Sequence, residues 1–428
     1  MLPPTAPDAG ATSARDAPGL EDRYGARNYH SLPLTVVRAE GVWLHDAEGR
    51  RVLDLMSAYS AVSHGHCHPR LVAAAREQLG RLNLTSRAVH SAWLGPFLEK
   101  ACRMTGMDRA LPMNTGAEAV ETALKAARKW AYTHKGVPEG QAEILVMQDN
   151  FHGRTTTVVG FSSTPQYRDG FGPFTPGFGR VPFGDAAALE RAIGPYTAAV
   201  LLEPMQGEGG INIPPTGWLR EVAAICRRHD VLLLADEIQT GLGRTGALLA
   251  CQHEGVRPDG LMLGKALGGG IVPVSLFLAR EDVMDVFTPG DHGSTFGGNA
   301  LAARIGYEAL CVLEEEQLAE RARDLGDYFM AGLRALAHPS IADVRGRGLF
   351  IGLEFHPQWW NATRFCEALL AEGALSKDTR ESVARLTPPL IITRHEIDLA
   401  LDCIRRALEA LERQKAERRQ RRPWEAPR

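Results

Sequence analysis

No stretch of the chain approaches the about eighteen consecutive apolar residues that a membrane-spanning helix needs, so a helical membrane protein is excluded. The N-terminal stretch has neither the basic start nor the apolar run of a secretory signal, and Asp8, Asp16 and Glu21 are acids that transit peptides avoid. Basic charge is not in excess. The 48 Lys and Arg face 51 Asp and Glu, a formal net charge of -3, which argues against any general affinity for nucleic acid. The seven cysteines (67, 102, 226, 251, 311, 366, 403) are scattered, odd in number and without a CxxC pair. They fit a reducing compartment better than a disulfide framework. These absences point to a cytoplasmic protein with no membrane or nucleic-acid partner. What is present is a globular composition, 44% hydrophobic and 23% charged, over 428 residues, enough for two or more domains.

The stretch from Val231 to Gly270 organises the rest. Val231 to Ala235 is a continuous apolar run, as in a strand buried on both faces of a parallel sheet. Asp236 falls where that strand should end, and open α/β sheets place ligands at the carboxyl ends of their strands. A second apolar run, Leu261 to Leu263, delivers Lys265 into a loop of small residues. An acid and a lysine at two strand ends are the minimum equipment of a pyridoxal phosphate enzyme. Lys265 would form an imine with the cofactor, and Asp236 would keep the pyridine nitrogen protonated. Alone, the pair equally suits an α/β protein with an ordinary surface Lys and Asp.

Along the chain, Leu34–Val37, Val42–His45 and Val52–Leu55 read as short strands of a small N-terminal unit. The cluster His64, His66, Cys67, His68 crowds into a tight loop around a Gly and a Pro, which favours a structural turn over a metal site. Thr115 followed by Glu118 is a capping box, and a helix opening Thr-Gly-Ala offers bare N–H groups and its positive dipole end to an anion such as phosphate. Ile144–Gln148, Ala198–Leu202 and the Val231 run alternate with helical stretches such as Trp218–His229, describing a parallel sheet with crossover helices. Phe151 could stack on an aromatic cofactor, and the His292–Asn299 loop could bind phosphate oxygens. A long helical region from Ala300 to about Ala337, a strand around Leu349–Phe355 and a covering helix over Glu396–Leu411 indicate a smaller α/β domain. Gly241, Gly243 and Gly246 match G-x-G-x-x-G, but D-E-I-Q-T separates them from the strand and no suitable acid follows, so a nicotinamide cofactor is not indicated. Gly264-Lys265-Ala266 lacks the hydroxyl of a P-loop.

In series, S-A-Y-S-A-V-x-x-G-H-C-H-P, L-T-S-R-A, L-P-M-N-T-G-x-E-A, E-P-M-Q-G-E, A-D-E-I-Q-T-G-L-x-R-T-G, L-G-K-A-L, H-G-S-T-F-G-G-N and R-x-x-P-P-L closely resemble the class III (ω-)aminotransferases, and within them the ornithine δ-aminotransferases. The resemblance runs from about Tyr24 to Leu411. It implies an α/β protein of the pyridoxal phosphate-dependent transferase fold type I (aspartate aminotransferase-like), with a large domain around a mostly parallel sheet and a smaller C-terminal α/β domain. The expected organisation is a disordered segment 1–22, residues 23–75 joining the small domain, a cofactor-binding domain 76–299, the small domain 300–412 and an Arg-rich tail 413–428. The family forms homodimers with shared active sites, and the same is expected here.

The resemblance implies catalytic roles for Lys265 and Asp236, with Lys265 also shuttling a proton. Gln239 would meet the ring oxygen and Phe151 would stack on the ring. Thr115, Gly116 and Ala117 would hold the phosphate, with Ser294 and Thr295 arriving from the other subunit. The implied reaction transfers the δ-amino group of L-ornithine to 2-oxoglutarate. Arg154 would take the distal carboxylate, helped by Tyr59 when ornithine is bound, and Glu208 would mask Arg385 until 2-oxoglutarate arrives. One position departs: after L-T-S-R-A-[FV] the ornithine enzymes carry a pocket-shaping tyrosine where this chain has His90. That keeps N-acetylornithine, lysine, 4-aminobutyrate or a diamine open as the amino donor. A decarboxylase or aminomutase on the same fold is the rival from another class, and a binding module is a third.

Overall fold

The computed structural model describes residues 10–421. Within them the chain opens with a helix over Gly10–Tyr24, where disorder was expected through residue 22. Residues 1–9 lie outside the described part. Ala11, Ala14, Arg15 and Ala17 favour helix, a local preference that the surrounding Pro and Gly conceal in the composition. Strands β1 (Val36–Glu40), β2 (Trp43–Asp46) and β3 (Arg51–Asp54) then form an antiparallel meander.

The central sheet is built from β4 (Arg109–Met113), β5 (Glu143–Met147), β6 (Phe178–Val181), β7 (Thr197–Leu202), β8 (Leu232–Asp236), β9 (Gly260–Leu263) and β10 (Ser275–Ala279), in the order β4-β10-β9-β8-β7-β5-β6. The pairs among β5, β6, β7, β8 and β9 are parallel, and β10 runs antiparallel to both β4 and β9. Side chains alternate along a strand, so an unbroken apolar run feeds two cores. Val200, Leu202, Leu233 and Ala235 join the core under the Trp218–Arg228 helix through Leu219, Val222 and Cys226. Ala199, Leu201, Leu232 and Leu234 join the other, under the Gly116–Trp130 helix through Val120, Ala123 and Ala127. A half-buried strand could not do this. The continuous run in β8 therefore fixes its place at mid-sheet, and with it the height of Asp236.

Beyond the sheet, the expected long helix is two, Ala300–Glu315 and Leu318–Ala335, broken where Gln317 takes a left-handed φ of 51°. Strands β11 (Ile341–Arg347), β12 (Phe350–Phe355), β13 (Ala374–Leu375), β14 (Lys377–Thr379) and β15 (Val383–Leu386) follow. An antiparallel sheet runs β11-β12-β15-β14, while β13 pairs parallel with β3. The chain's first strands and its last third thus share a sheet. The covering helix extends over Arg394–Arg421, so the described part of the Arg-rich tail is helical.

Between β3 and the next helix lies a left-handed turn. Ser57, Ala58, Tyr59 and Ser60 have φ of 44°, 47°, 59° and 73°, a run of a conformation that L residues normally visit singly. The histidines that follow face different partners. His64 Nε2 lies 3.0 Å from the Ala309 carbonyl, His66 Nε2 2.8 Å from Asp54 and His68 Nε2 3.1 Å from Glu316. Among the described residues no group of His, Cys, Asp or Glu could hold a metal.

Burial pushes the pKa of His64 down from 6.5 to about 4, so the folded protein keeps it neutral. Between those values the unfolded chain binds the extra proton. The stability His64 contributes is therefore full above 6.5 and is lost as pH falls toward 4. Urea titrations of the parent and a His64→Asn variant, compared at pH 7.5 and 5, should show the parent losing roughly 2 kcal/mol more than the variant. Equal losses would mean that His64 charges without penalty.

Candidate active site

The parallel strands deliver their ends to one place. Glu203 follows β7, Asp236 closes β8, Lys265 follows β9, and Phe151 and His152 follow β5. A cavity of about 190 Å³ is lined by Gly116, Ala117, Phe151, His152, Glu203, Asp236, Gln239 and Lys265, among others. A second, of about 710 Å³, shares Phe151 and Lys265 with it and adds Tyr29, Tyr59, Arg154, Tyr167, Glu208 and Arg385.

Asp236 is nearly fully buried and held from two sides. Its Oδ2 lies 2.7 Å from His152 Nδ1, and its Oδ1 accepts the Ile238 N–H at 3.0 Å. Burial opposes charging of His152, but the hydrogen bond and charge of Asp236 outweigh it and raise the ring's pKa. Glu203 accepts the N–H groups of Phe151 and Gly207, each at 3.0 Å. Burial lifts its carboxyl to about 7, the charge of His152 working against the lift and that of Asp236 with it. Lys265 has a left-handed φ of 46°, and burial lowers its pKa, with Glu208 and Asp236 opposing and Arg385 assisting. A lowered amine pKa leaves more of the neutral, nucleophilic form near neutrality.

The helix opening at Gly116 carries the expected capping box. Thr115 Oγ1 accepts the Glu118 N–H at 3.2 Å, and the Glu118 carboxylate accepts the Thr115 N–H at 3.0 Å. Gly116 and Ala117, in the first turn, have no carbonyl one turn back to bond, so their N–H groups remain for a ligand. Thr115 and Gly116 also line a pocket of about 410 Å³ with Lys265 and Ile271.

Glu208 and Arg385 form a direct ion pair, the arginine side chain being buried. Arg385 also lies 4.8 Å from the centre of the Tyr59 ring. Arg154 stands over the Tyr167 ring at 3.7 Å and the Phe151 ring at 5.3 Å. Its guanidinium edge is thus free to meet a carboxylate while its face is covered. Tyr59, expected to help Arg154 with the donor carboxylate, lines the larger cavity together with it, and its ring lies against Arg385.

Three further expected residues, His90, Ser294 and Thr295, line none of these cavities within the single chain. His90 is exposed and lines none of the described cavities around Lys265, because the segment from Leu84 to Ser91 runs over the surface. Ser294 accepts a hydrogen bond from Asn114 Nδ2 of its own chain at 2.7 Å, and Thr295 is exposed. The structure also adds residues to which the sequence assigned no role: His152 and Glu203 in the smaller cavity, and Tyr29, Tyr167 and Lys377 in the larger one. An aromatic in the polar Asn28-Tyr29-His30 stretch was the one hint available for Tyr29.

Pyridoxal phosphate fits these residues. The Gln239 side-chain nitrogen is buried in the cavity wall with no partner among the described residues, as a donor to a ligand oxygen would be. A carboxylate, a lysine of lowered pKa and an unpaired helix N-terminus meet the three polar regions of such a cofactor: ring nitrogen, aldehyde and phosphate. Fold and site together define a pyridoxal phosphate-dependent transferase of fold type I.

The model of the family Aminotransferase class-III matches residues 24–408, and the chain belongs to that family. It is 54% identical over 383 residues to an ornithine aminotransferase of Halalkalibacterium halodurans, covering 90% of this chain and 96% of the relative. An ornithine aminotransferase from Toxoplasma gondii, in which pyridoxal phosphate partly occupies the active site, superposes with a TM-score of 0.92 at 44% identity, over 94% of this chain and 96% of that one. An acetylornithine aminotransferase from Elizabethkingia anophelis matches with a TM-score of 0.84 at 42% identity, over 93% and 99%.

Proposed function

We propose that this aminotransferase moves the δ-amino group of L-ornithine to 2-oxoglutarate, giving glutamate 5-semialdehyde, which cyclises to pyrroline-5-carboxylate, and glutamate. The observation that carries the reading is the masked arginine. Two guanidinium groups face one cavity with Lys265, and Glu208 neutralises the buried one, Arg385. An ω-amine donor needs its carboxylate held far from the reacting nitrogen, and Arg154 with Tyr29 suits that. 2-Oxoglutarate carries a second carboxylate next to its reacting carbon, which Arg385 takes once Glu208 turns away.

Pyridoxal phosphate, when bound, supplies an aldehyde that accepts the amino group and a ring that withdraws electrons from the substrate carbon. Asp236, oriented by His152, would hold a proton at the ring nitrogen; Phe151 would stack on the ring; Gln239 would donate to the ring oxygen; and Gly116 and Ala117 would hold the phosphate. Lys265 takes the proton from the substrate carbon and returns it. A second copy of the chain is expected to complete the site. Ile271 and Phe296 are 38% and 57% exposed beside the phosphate end and the 294–295 loop, apolar surface that a partner would cover, and His90, Ser294 and Thr295 would act across that boundary. The unpaired cysteines suit the cytoplasm. Domain limits near residues 76 and 300 are part of the same reading.

The likeness to an acetylornithine enzyme favours one alternative, the same transfer from N-acetylornithine. Single-turnover spectra of the cofactor-loaded enzyme with L-ornithine, N-acetylornithine, 4-aminobutyrate and L-lysine decide between them. Rapid conversion by ornithine and slow conversion by the others is expected; conversion by N-acetylornithine with ornithine inert would transfer the assignment. The gate has its own test. Glu208→Gln removes the charge that masks Arg385, so glutamate should gain on ornithine as donor by about 10- to 100-fold in relative kcat/KM, the worth of one charged hydrogen bond. An unchanged ratio would make the ion pair merely structural.

A further inference from the structure

Arg244 is fully buried, yet no carboxylate touches it among the described residues; Asp54 acts on it only at longer range. A buried guanidinium without a counter-ion is costly, and burial draws its pKa down to about 9. Its hydrogen bonds show where it is engaged. Nη1 donates to the carbonyls of Leu349 at 3.0 Å and Pro388 at 2.6 Å, and Nη2 to the hydroxyls of Ser63 at 2.9 Å and Ser57 at 3.3 Å. These acceptors lie on three segments far apart in sequence: the left-handed turn that carries Tyr59, the stretch just beyond Arg385, and the turn between β11 and β12.

The same segments are laced around it. Ser57 Oγ donates to the Thr387 carbonyl at 2.6 Å, and Thr387 Oγ1 donates to the Met56 carbonyl at 3.0 Å. Ser63 Oγ donates to the Ser60 carbonyl at 3.0 Å, tying Arg244 to the far end of the strained turn. Arg244 is itself clamped. A Cβ on Gly348 would come within 2.6 Å of the Gly246 nitrogen, and one on Gly246 within 2.9 Å of the Arg323 side chain. The G-x-G-x-x-G run therefore serves close packing of the segment that carries this arginine and not a phosphate.

We infer that Arg244 is a positioning residue for substrate carboxylates: its planar fork holds the left-handed turn and the end of β15 at a fixed separation, and so sets the Tyr59 ring against Arg385. A run of left-handed residues persists only where its surroundings over-determine it, and Arg244 bonds one end of the run directly at Ser57 and reaches the other through Ser63. Lysine cannot replace it, because a point ammonium with three donors does not span four acceptors arranged around a plane. The inference rests on Arg385 receiving a carboxylate.

The test uses the cofactor-loaded enzyme, with glutarate as an unreactive dicarboxylate probe. Binding by calorimetry, KM and kcat for 2-oxoglutarate, the cofactor's absorbance and the melting temperature are measured for Arg244→Lys, Ser63→Ala and Arg385→Gln. For Arg244→Lys, glutarate Kd and 2-oxoglutarate KM should rise together by about tenfold, the cost of a misplaced guanidinium, with kcat and absorbance little changed. Ser63→Ala should move the same quantities in the same direction by a few-fold, and it decides the matter if Arg244→Lys does not fold. Lower melting temperatures with parental glutarate affinity in the folded variants would overturn the positioning role while leaving Arg385 as the carboxylate site, provided Arg385→Gln weakens glutarate. If Arg385→Gln binds glutarate as the parent does, the carboxylate assignment fails and the role of Arg244 fails with it.

Discussion

Lys265→Ala should abolish turnover, by at least about 10,000-fold, and remove the visible absorbance that the lysine-linked cofactor gives. The residue is asked to do two things that no neighbour can take over. It must attach the cofactor reversibly, which needs a neutral primary amine, and burial lowers its pKa toward that form. It must then move a proton on and off the substrate carbon from a fixed position, which its left-handed backbone and place at the end of β9 define. Lys265→Arg is the sharper control. It keeps the positive charge and most of the volume, but a guanidinium stays protonated and cannot attach the aldehyde. It should fail as completely as alanine. Both variants should still bind pyridoxal phosphate, since Asp236, Gln239 and the Gly116 helix are untouched, so equilibrium dialysis separates lost chemistry from lost binding. Substantial turnover in either variant would remove Lys265 from the reaction.

What the sequence made legible was the part written in contiguous residues. An apolar run such as Val231 to Ala235 serves both faces of a sheet, so β7, β8 and β9 could be placed at mid-sheet, and the residues at their ends could be expected to meet. Asp236, Lys265, Gln239, Phe151 and the Gly116 helix do line one cavity. The antiparallel course of β10 was not legible, because an apolar run buries equally well in either direction. The Gly10–Tyr24 helix was hidden by composition, in which Pro and Gly weigh against local preference.

The larger gap concerns residues whose part depends on another segment. His152 meets Asp236 across 84 positions, and Arg244 meets Ser63 across 181. Neither spacing is a pattern. His152 directly follows Phe151, but nothing in its neighbours says that its ring turns back to the β8 acid. His90 is the opposite case: a motif position suggested a pocket wall, and in a single chain that position is surface, so its part depends on what a second copy places against it. The turn at Ser57–Ser60 was unreadable for a further reason. None of its residues is Gly, so its left-handed course has no local cause and comes from Asp54, Thr387 and Arg244 around it.

Asp236→Asn should lower kcat by about 100- to 10,000-fold, the equivalent of losing a buried charge pair worth roughly 3–5 kcal/mol. Asparagine is nearly the same shape and can still accept the Ile238 N–H, so the fold has little reason to change. What it lacks is the negative charge that holds a proton at the ring nitrogen, and that charge also governs His152. In the parent, burial alone would keep His152 neutral, but the Asp236 hydrogen bond and charge raise its pKa above 6.5. The stability this pair contributes to the cofactor-free protein is therefore full below 6.5 and lost as pH rises through the raised value. In Asp236→Asn burial is opposed only by the charge of Glu203, so the ring's pKa should fall and that alkaline loss should shrink. Proton NMR of the His152 ring in the cofactor-free protein reads this directly, independent of turnover. A kcat loss with an unmoved His152 would place the effect of Asp236 on the cofactor alone. A His152 pKa that falls with kcat intact would leave the carboxylate as a structural partner of the imidazole and take the ring nitrogen away from it.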